Sequence, residues 1–267
     1  MKNKKPLSGL TYLGACLNPF SEFITTRDEL TGHRFYAYKR DVIGRTLFRT
    51  GRYDVTLSNW LVERFPSAGG NFIDVGANLG YFTCLLSRLA GSKGHVLAVE
   101  PEPANFRLLQ QNVEANGLTN VSTVQVALGE QPGEVSLNLY KQSNRGRHSI
   151  IAPGTGETVQ VPLRRLDDVV ASAFSADAEI SFMKIDVEGY EPFVLKGGTH
   201  TLGRVRAMAI EYAPYILRSV STEVPEFLAT LAKHFENVQV IKNDEVLPTS
   251  WSDIEQLTET VDILLSK

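Results

Sequence analysis

The sequence predicts an α/β protein built on a doubly wound, mostly parallel sheet. After residue 70, short apolar runs alternate five times with helical stretches, which is the pattern of strands joined by crossover helices. The first run ends in a turn containing Gly76 and Gly80, where a strand can bend sharply into a helix. The chain has 267 residues, of which 43% are apolar and 21% charged, so it can bury the core of one large domain with a modest extension.

Seven strands are predicted for this sheet. Five parallel strands are expected from the apolar runs, which lie at residues 71–75, 95–99, 121–126, 180–185 and 206–211. The clearest helix covers residues 103–116, because Pro103 suits a first helical turn and Gly117 ends the apolar face. Toward the C-terminus, residues 238–241 and 261–265 form two further strands that can pair as an antiparallel edge.

Two segments lie outside the alternating pattern. Residues 1–52 are expected to form an N-terminal extension, with a solvated lead-in at 1–18 and an antiparallel strand pair that caps the main domain at 53–267. The lead-in lacks the continuous apolar stretch of a signal peptide. The second segment is an insertion at about 133–162, which contains the polar, basic stretch 141–149. Such an insertion either covers the ligand crevice or is a solvated surface loop, and the pattern leaves both alternatives open.

Composition argues against several classes of partner. The 27 basic and 30 acidic side chains give a formal net charge of −3, without the basic footprint of most nucleic-acid-binding domains. No window approaches the roughly 18 apolar residues of a membrane-spanning helix. Cys16 and Cys84 lie too far apart for a metal-binding motif, which favours a reducing compartment. We therefore expect a cytoplasmic protein that binds neither nucleic acid nor membrane; the sequence leaves its oligomeric state open.

The glycine turn favours an adenosine ligand over a dinucleotide. Asp74 lies at the end of the first strand, and the following glycines let a ligand approach the main-chain amides. Asn78 occupies the position where a dinucleotide-binding turn needs its second glycine, which argues against a bound pyrophosphate. Glu100 ends the second strand, where a carboxylate can accept hydrogen bonds from both ribose hydroxyls. These features indicate a nucleoside ligand without a diphosphate.

Four short runs, taken in order along the chain, form a more specific pattern than any single glycine turn. They are FIDVGANLG at 72–80, VEPEP at 99–103, VALG at 126–129 and MKIDVEGYE at 183–191. In these runs the chain resembles the FkbM family of S-adenosylmethionine-dependent methyltransferases, over roughly residues 53–213. The resemblance implies a class I, Rossmann-like methyltransferase fold with S-adenosyl-L-methionine as cofactor.

The resemblance also implies which residues bind the cofactor. They are Asp74, Gly76, Asn78 and Gly80 at the methionine end, Glu100 at the ribose, Val126 and Ala127 at the adenine, and Asp186 facing the sulfonium or the acceptor.

An acceptor hydroxyl is a weak nucleophile near pH 7, so a group that takes its proton should assist the transfer. The candidates are Asp186, Glu188, Glu211, His148 and Lys184, of which Asp186, Glu211 and His148 are preferred, although a lone loop histidine is more often simply solvated. Asp186 and Glu211 end neighbouring predicted strands, where they could instead hold a divalent cation such as Mg²⁺. We favour Asp186 as base or orienting group without a metal.

The expected function is O-methyl transfer from S-adenosylmethionine to a hydroxyl of a sugar, glycan or secondary metabolite. In such an in-line displacement, positioning of the oxygen supplies much of the rate. Two alternatives remain. One is a non-catalytic module that binds adenosine or S-adenosylmethionine, and the other, disfavoured by Asn78, is an NAD-linked oxidoreductase.

Overall fold

The computed structural model describes residues 22–66, 69–219 and 224–267. The predicted lead-in at 1–18 lies outside these residues. Within the described ranges, no helix has the length and apolar character that crossing a membrane requires.

Strands and helices are numbered here in chain order. The strands are β1 (Phe23–Arg27), β2 (Arg34–Tyr38), β3 (Asn71–Val75), β4 (His95–Val99), β5 (Val121–Val124), β6 (Ala127–Leu128), β7 (Gly133–Asn138), β8 (Thr158–Arg164), β9 (Ile180–Ile185), β10 (Ala207–Tyr212), β11 (Asn237–Lys242), β12 (Glu245–Pro248) and β13 (Val261–Ser266). The helices are α1 (Val42–Thr50), α2 (Val55–Arg64), α3 (Tyr81–Ala90), α4 (Pro103–Ala115), α5 (Leu166–Ala173), α6 (Glu191–Lys196), α7 (Thr199–Leu202), α8 (Pro214–Ser219), α9 (Val224–Ala232) and α10 (Trp251–Glu255).

The main sheet confirms the predicted doubly wound fold. Its strand order is β12-β11-β13-β10-β9-β3-β4-β5. The five strands from β10 to β5 run parallel, and β13 and β11 form the antiparallel edge that the sequence predicted. The chain order reverses direction between β3 and β9, which is where ligands bind in this class of sheet.

The sheet has eight strands because β12 extends the predicted edge. Residues 243–244 connect β11 to β12, and Lys242 pairs with Glu245 across this turn. Asn243 and Asp244 both adopt positive φ, the conformation of the two central residues in a tight hairpin turn. The short strand after the turn contains only two apolar residues, Val246 and Leu247, and so gave too weak a pattern to predict.

Alternating side chains of the parallel strands pack on the two faces of the sheet. In β3, Ile73 and Val75 belong to one apolar cluster, and Phe72 belongs to the other. Asp74 and Lys184 take the same face as Phe72 and are register partners on the adjacent strands β3 and β9. The sheet therefore places the buried carboxyl group of Asp74 beside the buried amino group of Lys184, just below the strand ends.

The N-terminal strand pair forms as predicted, with β1 antiparallel to β2. Its Ile24 and Phe35 share an apolar cluster with Leu61 of α2 and Leu85 of α3. Asn112 of α4 fastens the pair further: its Oδ1 accepts from Tyr36 N at 2.7 Å, and its Nδ2 donates to Tyr36 O at 3.1 Å. The hairpin is thus packed directly against the helices that flank the sheet.

The insertion forms a small sheet of its own, with strand order β6-β8-β7. Strands β7 and β8 pair antiparallel along their length, while β6 runs parallel to the end of β8. The predicted strand at 121–126 ends two residues early, at Val124, because the chain leaves the main sheet to enter this smaller one. Residues 144–150, which we call the roof segment, lie between β7 and β8.

Candidate functional site

The turn after β3 brings the ends of two strands into close contact. Gly76 has a φ of +79°, and a Cβ at this position would collide with the carbonyl oxygen of Asp186 at the end of β9. Gly76 N and Ala77 N both donate to Val99 O, at 2.9 and 3.0 Å. Glycine is therefore required at 76 both for the conformation and for the approach of the β9 end.

Glu100 is buried beside this turn and organises it. Its Oε2 accepts from Asn78 N at 2.8 Å, and its Oε1 accepts from Glu102 N at 2.9 Å. Only 5% of Glu100 is exposed, and this burial raises the pKa of its carboxyl to about 7. Each carboxylate oxygen has a second lone pair, so Glu100 can still accept hydrogen bonds from a ligand.

A cavity of about 560 Å³, which we call the narrow cavity, opens next to Glu100. Its apolar walls come from the strand ends and from the insertion, and they are Val75, Val99, Val126, Ala127, Leu128, Leu137, Ile150 and Val187. An apolar slot with a carboxylate at one side fits a nucleoside, whose base is flat and whose ribose carries hydroxyl donors.

The roof segment covers the narrow cavity. This position favours the interpretation that the insertion covers the ligand crevice over the alternative of a solvated surface loop. Gly146, His148 and Ile150 line the cavity. The segment is held at both ends, because Ser149 Oγ donates to Glu188 O at 2.8 Å and Arg145 N donates to Asp41 Oδ1 at 2.7 Å. The insertion therefore lies over the crevice of the sheet.

A larger cavity of about 1270 Å³, which we call the open cavity, adjoins the narrow one. The two cavities share five residues, which are Gly76, Asn78, Gly146, Asp186 and Glu188. The charged side chains that line the open cavity are Asp54, Asp186, Glu188, Glu211, Asp262, Lys184 and Arg147. Carboxyl groups therefore dominate this second site.

Lys184 is the buried cation of the open cavity. Its Nζ lies 2.8 Å from Asp186 Oδ2 and 5.2 Å from the centre of the Phe82 ring. Burial lowers the pKa of Lys184, but the carboxylates of Asp186 and Asp74 raise it more, and the net shift is upward. Lys184 therefore stays protonated and supplies a fixed positive charge next to Asp186.

The other carboxyl groups of the open cavity hold their protons unusually strongly. Burial, followed by the neighbouring charge of Asp186, raises the pKa of Glu211 to about 10 and that of Glu188 to about 8. Burial and the nearby Asp54 raise the pKa of Asp262 to about 7. Glu211 Oε2 is buried and has no hydrogen-bond partner among the described residues. At neutral pH, Glu211 is therefore a neutral carboxylic acid with a free hydrogen-bonding position.

Three of these carboxyl groups lie close enough to hold a cation. Asp186, Glu188 and Glu211 can each place one oxygen within 4.8 Å of the others. Hard oxygen ligands of this kind suit Mg²⁺ or Ca²⁺. One oxygen of Asp186 already contacts Lys184, and Glu188 Oε2 lies 3.8 Å from Arg147 Nε. Positive side chains of the protein thus already neutralise part of the cluster.

The structure brings most of the predicted cofactor residues together. Those that line the narrow cavity are Gly76, Asn78, Glu100, Val126, Ala127 and Asp186. Asp74 and Gly80 line neither cavity in the described parts of the chain. Asp74 is 1% exposed and accepts from Thr83 Oγ1 at 2.6 Å beneath the turn, while Gly80 begins α3 and faces Leu109.

The three preferred candidates for proton transfer lie in different cavities. Asp186 lies on the wall that the cavities share, and Glu211 lines the open cavity. His148 lines the narrow cavity and not the open one. Sequence reasoning missed Asp54 and Asp262, which no local motif marks: Asp262 reaches the site because β13 pairs with β10 and sets it opposite Glu211.

Comparison with known proteins identifies the family. The model of the methyltransferase FkbM domain matches residues 74–236. Methyltransferase 1 of Beauveria bassiana (strain ARSEF 2860) is 30% identical over 197 residues, covering 66% of this chain and 75% of the relative. Hexuronic acid methyltransferase AglP of Haloferax volcanii is 30% identical over 138 residues, covering 52% of this chain and 54% of the relative.

A solved structure of the same family has also been matched. Methyltransferase FkbM from Methylobacillus flagellatus KT aligns with 16% identity and a TM-score of 0.47, over 74% of this chain and 43% of that chain. The domain match alone covers more than half of the present chain and contains both the glycine turn and the ends of β4, β9 and β10. The chain belongs to the FkbM family of S-adenosylmethionine-dependent methyltransferases.

Proposed function

We propose that this protein transfers a methyl group from S-adenosylmethionine to a hydroxyl oxygen of a sugar, glycan or secondary metabolite. The observation that carries the proposal is the wall shared by the two cavities, with Asp186 on it. A cofactor in the narrow cavity and an acceptor in the open cavity would meet at this wall. Methyl transfer needs only such a meeting point, because the reaction is a direct displacement between two aligned atoms.

The narrow cavity is assigned to the cofactor on the chemistry of its walls. Glu100 would accept hydrogen bonds from the ribose hydroxyls with the lone pairs that Asn78 N and Glu102 N leave free. Val126 and Ala127 would border the adenine, and Gly76 would leave room for the methionine end next to the shared wall. When bound, S-adenosylmethionine supplies an activated methyl group on a sulfonium.

Asp186 is assigned the role of orienting the acceptor hydroxyl and accepting its proton. The carboxylate lies where the two cavities meet, and Lys184 holds one of its oxygens at 2.8 Å. The contact with Lys184 fixes the orientation of the carboxylate and leaves Asp186 Oδ1 for the acceptor. A positioned base of this kind contributes about 10²–10⁴-fold to a reaction that removes a proton.

Glu211 is assigned the role of a hydrogen-bond donor and not that of a base. A carboxyl with a pKa of about 10 keeps its proton near pH 7, so it donates a hydrogen bond instead of accepting a proton. Together with Glu188 and Asp262 it forms a polar surface in which carboxyl groups both donate and accept. Such a surface complements a polyhydroxylated acceptor. The name of the Haloferax volcanii relative, a hexuronic acid methyltransferase, supports a sugar acceptor.

A divalent cation is not needed for this arrangement. Lys184 already places a positive charge 2.8 Å from Asp186, and such a charge can favour ionisation of the acceptor as a cation would. We therefore propose a reaction in which Asp186 and Lys184 act without a metal.

The function is tested by binding and by turnover. Calorimetric titration should show micromolar binding of S-adenosylmethionine and of its demethylated product, S-adenosylhomocysteine, and no binding of NAD. Trideuteromethyl transfer from labelled S-adenosylmethionine to a panel of neutral glycosides, uronic acids and phenols, followed by mass spectrometry, should give an O-methyl ether. Tight cofactor binding without transfer to any of these acceptors would favour a non-catalytic binding module.

A further inference from the structure

His148 occupies a position in the narrow cavity that the proposed mechanism does not use. It belongs to the roof segment and lines the cavity together with Val126, Ala127 and Leu137. It does not line the open cavity, where the acceptor is placed. A group at this position can contact the cofactor assigned to the narrow cavity.

The hydrogen bonds of the imidazole ring define its protonation. Tyr140 N–H donates to His148 Nδ1 at 2.8 Å, so Nδ1 is an acceptor and carries no proton. Burial lowers the pKa of His148, which keeps the ring neutral near pH 7. A neutral ring with an accepting Nδ1 has its proton on Nε2. His148 therefore presents a single N–H donor.

That donor has no acceptor within the protein. Nε2 of His148 is buried and lacks a hydrogen-bond partner among the described residues. A buried N–H without a partner destabilises the fold, and native proteins leave few of them. Several side chains that line the narrow cavity, including Leu137 and Ile150, are apolar and cannot accept this hydrogen bond. An acceptor on the bound ligand would satisfy this donor.

The part of the cofactor that fits is the adenine base. The carboxylate and amino groups of the cofactor belong to its methionine end, which is assigned to the shared wall. The ribose hydroxyls of the cofactor are assigned to Glu100. The adenine is assigned to the slot bordered by Val126 and Ala127, which His148 also lines. Adenine carries ring nitrogens that accept hydrogen bonds and match one neutral N–H donor.

We propose that His148 is a base-recognition residue, whose Nε2–H donates a hydrogen bond to a ring nitrogen of the cofactor's adenine. The proposal rests on the proposed function, because it takes the narrow cavity as the S-adenosylmethionine site. His148 then contributes to recognition of the cofactor and does not take the proton of the acceptor hydroxyl. It also assigns a function to the insertion, because its roof segment then recognises the adenine that lies between the strand ends.

Two substitutions distinguish the effect of the Nε2–H donor from that of Nδ1, which accepts the hydrogen bond from Tyr140 N–H. In His148→Asn, the side-chain oxygen can replace Nδ1 as the acceptor of Tyr140 N–H, and the Nε2–H donor is lost. In His148→Gln, the side-chain amide can reach the position of Nε2 and restores a donor. We expect His148→Asn to melt at the temperature of the wild type but to bind S-adenosylhomocysteine about tenfold more weakly. His148→Gln should bind within about threefold of the wild type.

The deciding experiment titrates the wild type and His148→Asn with S-adenosylhomocysteine and with its 1-deaza, 3-deaza and 7-deaza analogues. One analogue should bind the wild type about tenfold more weakly than the parent compound, and the same analogue should lose no affinity for His148→Asn. Equal losses in both proteins, or wild-type affinity of His148→Asn for the parent compound, would overturn the proposal. Failure of the wild type to bind S-adenosylhomocysteine would instead refute the cofactor assignment and the proposal with it.

Discussion

The two adjoining cavities are built on opposite physical principles. The narrow cavity is lined largely by apolar side chains and covered by the roof segment. Apart from Asp186 and Glu188 on the shared wall, its carboxyl group is the buried Glu100, whose oxygens are already engaged by backbone amides. The open cavity is wide and polar, and its carboxyl groups crowd one another around Lys184. On the proposed assignment, the first cavity holds the cofactor and the second holds the acceptor beside groups that control charge and proton position. We therefore expect residues of the first to determine cofactor affinity and residues of the second to determine turnover.

Asp186→Asn should have the largest effect, and it should act on turnover. Removing the charge that accepts the acceptor's proton is expected to lower kcat by about 100-fold or more. S-adenosylhomocysteine affinity should change far less, because Glu100 and the apolar walls remain. The measurement is labelled-methyl transfer beside calorimetric titration, with the exposed Asp168→Asn as matched control. Full activity of Asp186→Asn would remove its assigned role.

Glu100→Ala should have the next largest effect, and it should act on affinity. Loss of the hydrogen bonds between the carboxylate and the ribose, together with disorder of the Asn78 turn, should weaken cofactor binding by about 1–3 kcal/mol. This corresponds to about a 5- to 150-fold change in Kd. Calorimetry measures it, and the exposed Glu130→Ala serves as the control. Unchanged affinity in Glu100→Ala would contradict the ribose assignment.

The pH dependence of cofactor binding should be smaller. The pKa of Glu100 is about 7 in the free protein, and ribose hydroxyls donate to the ionised form. Affinity should therefore be full above pH 8 and fall by about tenfold by pH 6, as the carboxyl takes up a proton. Titrations of the wild type and of Glu100→Gln across this range isolate the effect. An equally steep decline in Glu100→Gln would assign it to another group.

Exhaustive chelation should have no effect on turnover. Lys184 already provides the positive charge beside Asp186, so activity after treatment with EDTA should match that of untreated protein. Initial rates of methyl transfer before and after chelation, and after return of Mg²⁺, are the measurement. A loss of activity that Mg²⁺ restores would make Asp186, Glu188 and Glu211 a cation site.

The contrast between the narrow and the open cavity also explains how much of the molecule could be predicted from the sequence. The parallel strands and the glycine turn were predictable because each carries a local signal, such as the apolar run before Asp74 or the helix start at Pro103. Many residues around the narrow cavity follow the ends of β3, β4, β5 and β9, where such local signals exist, whereas Leu137, His148 and Ile150 come from the insertion. The open cavity depends on pairing between strands far apart in sequence: Asp262 faces Glu211 only because β13 inserts beside β10.

Position in the sequence also failed to show what a residue contacts. Asp74 sits within the glycine-turn motif, yet the pleat of β3 turns its side chain inward toward Thr83 and Lys184. His148 lies in a polar loop that is typical of solvated surface, yet the small β6-β8-β7 sheet folds that loop over the crevice. Both outcomes depend on tertiary packing, for which the local pattern carries no signal.

The attachment of Arg145 connects the N-terminal hairpin to the proposed base pocket. Arg145 N donates to Asp41 Oδ1 at 2.7 Å, and its guanidinium stacks 4.0 Å above the centre of the Tyr38 ring. The ceiling over the proposed base pocket is thus held by residues that precede the family match at 74–236. A truncation that keeps every family motif but discards residues 22–41 would leave that ceiling without two of its anchors.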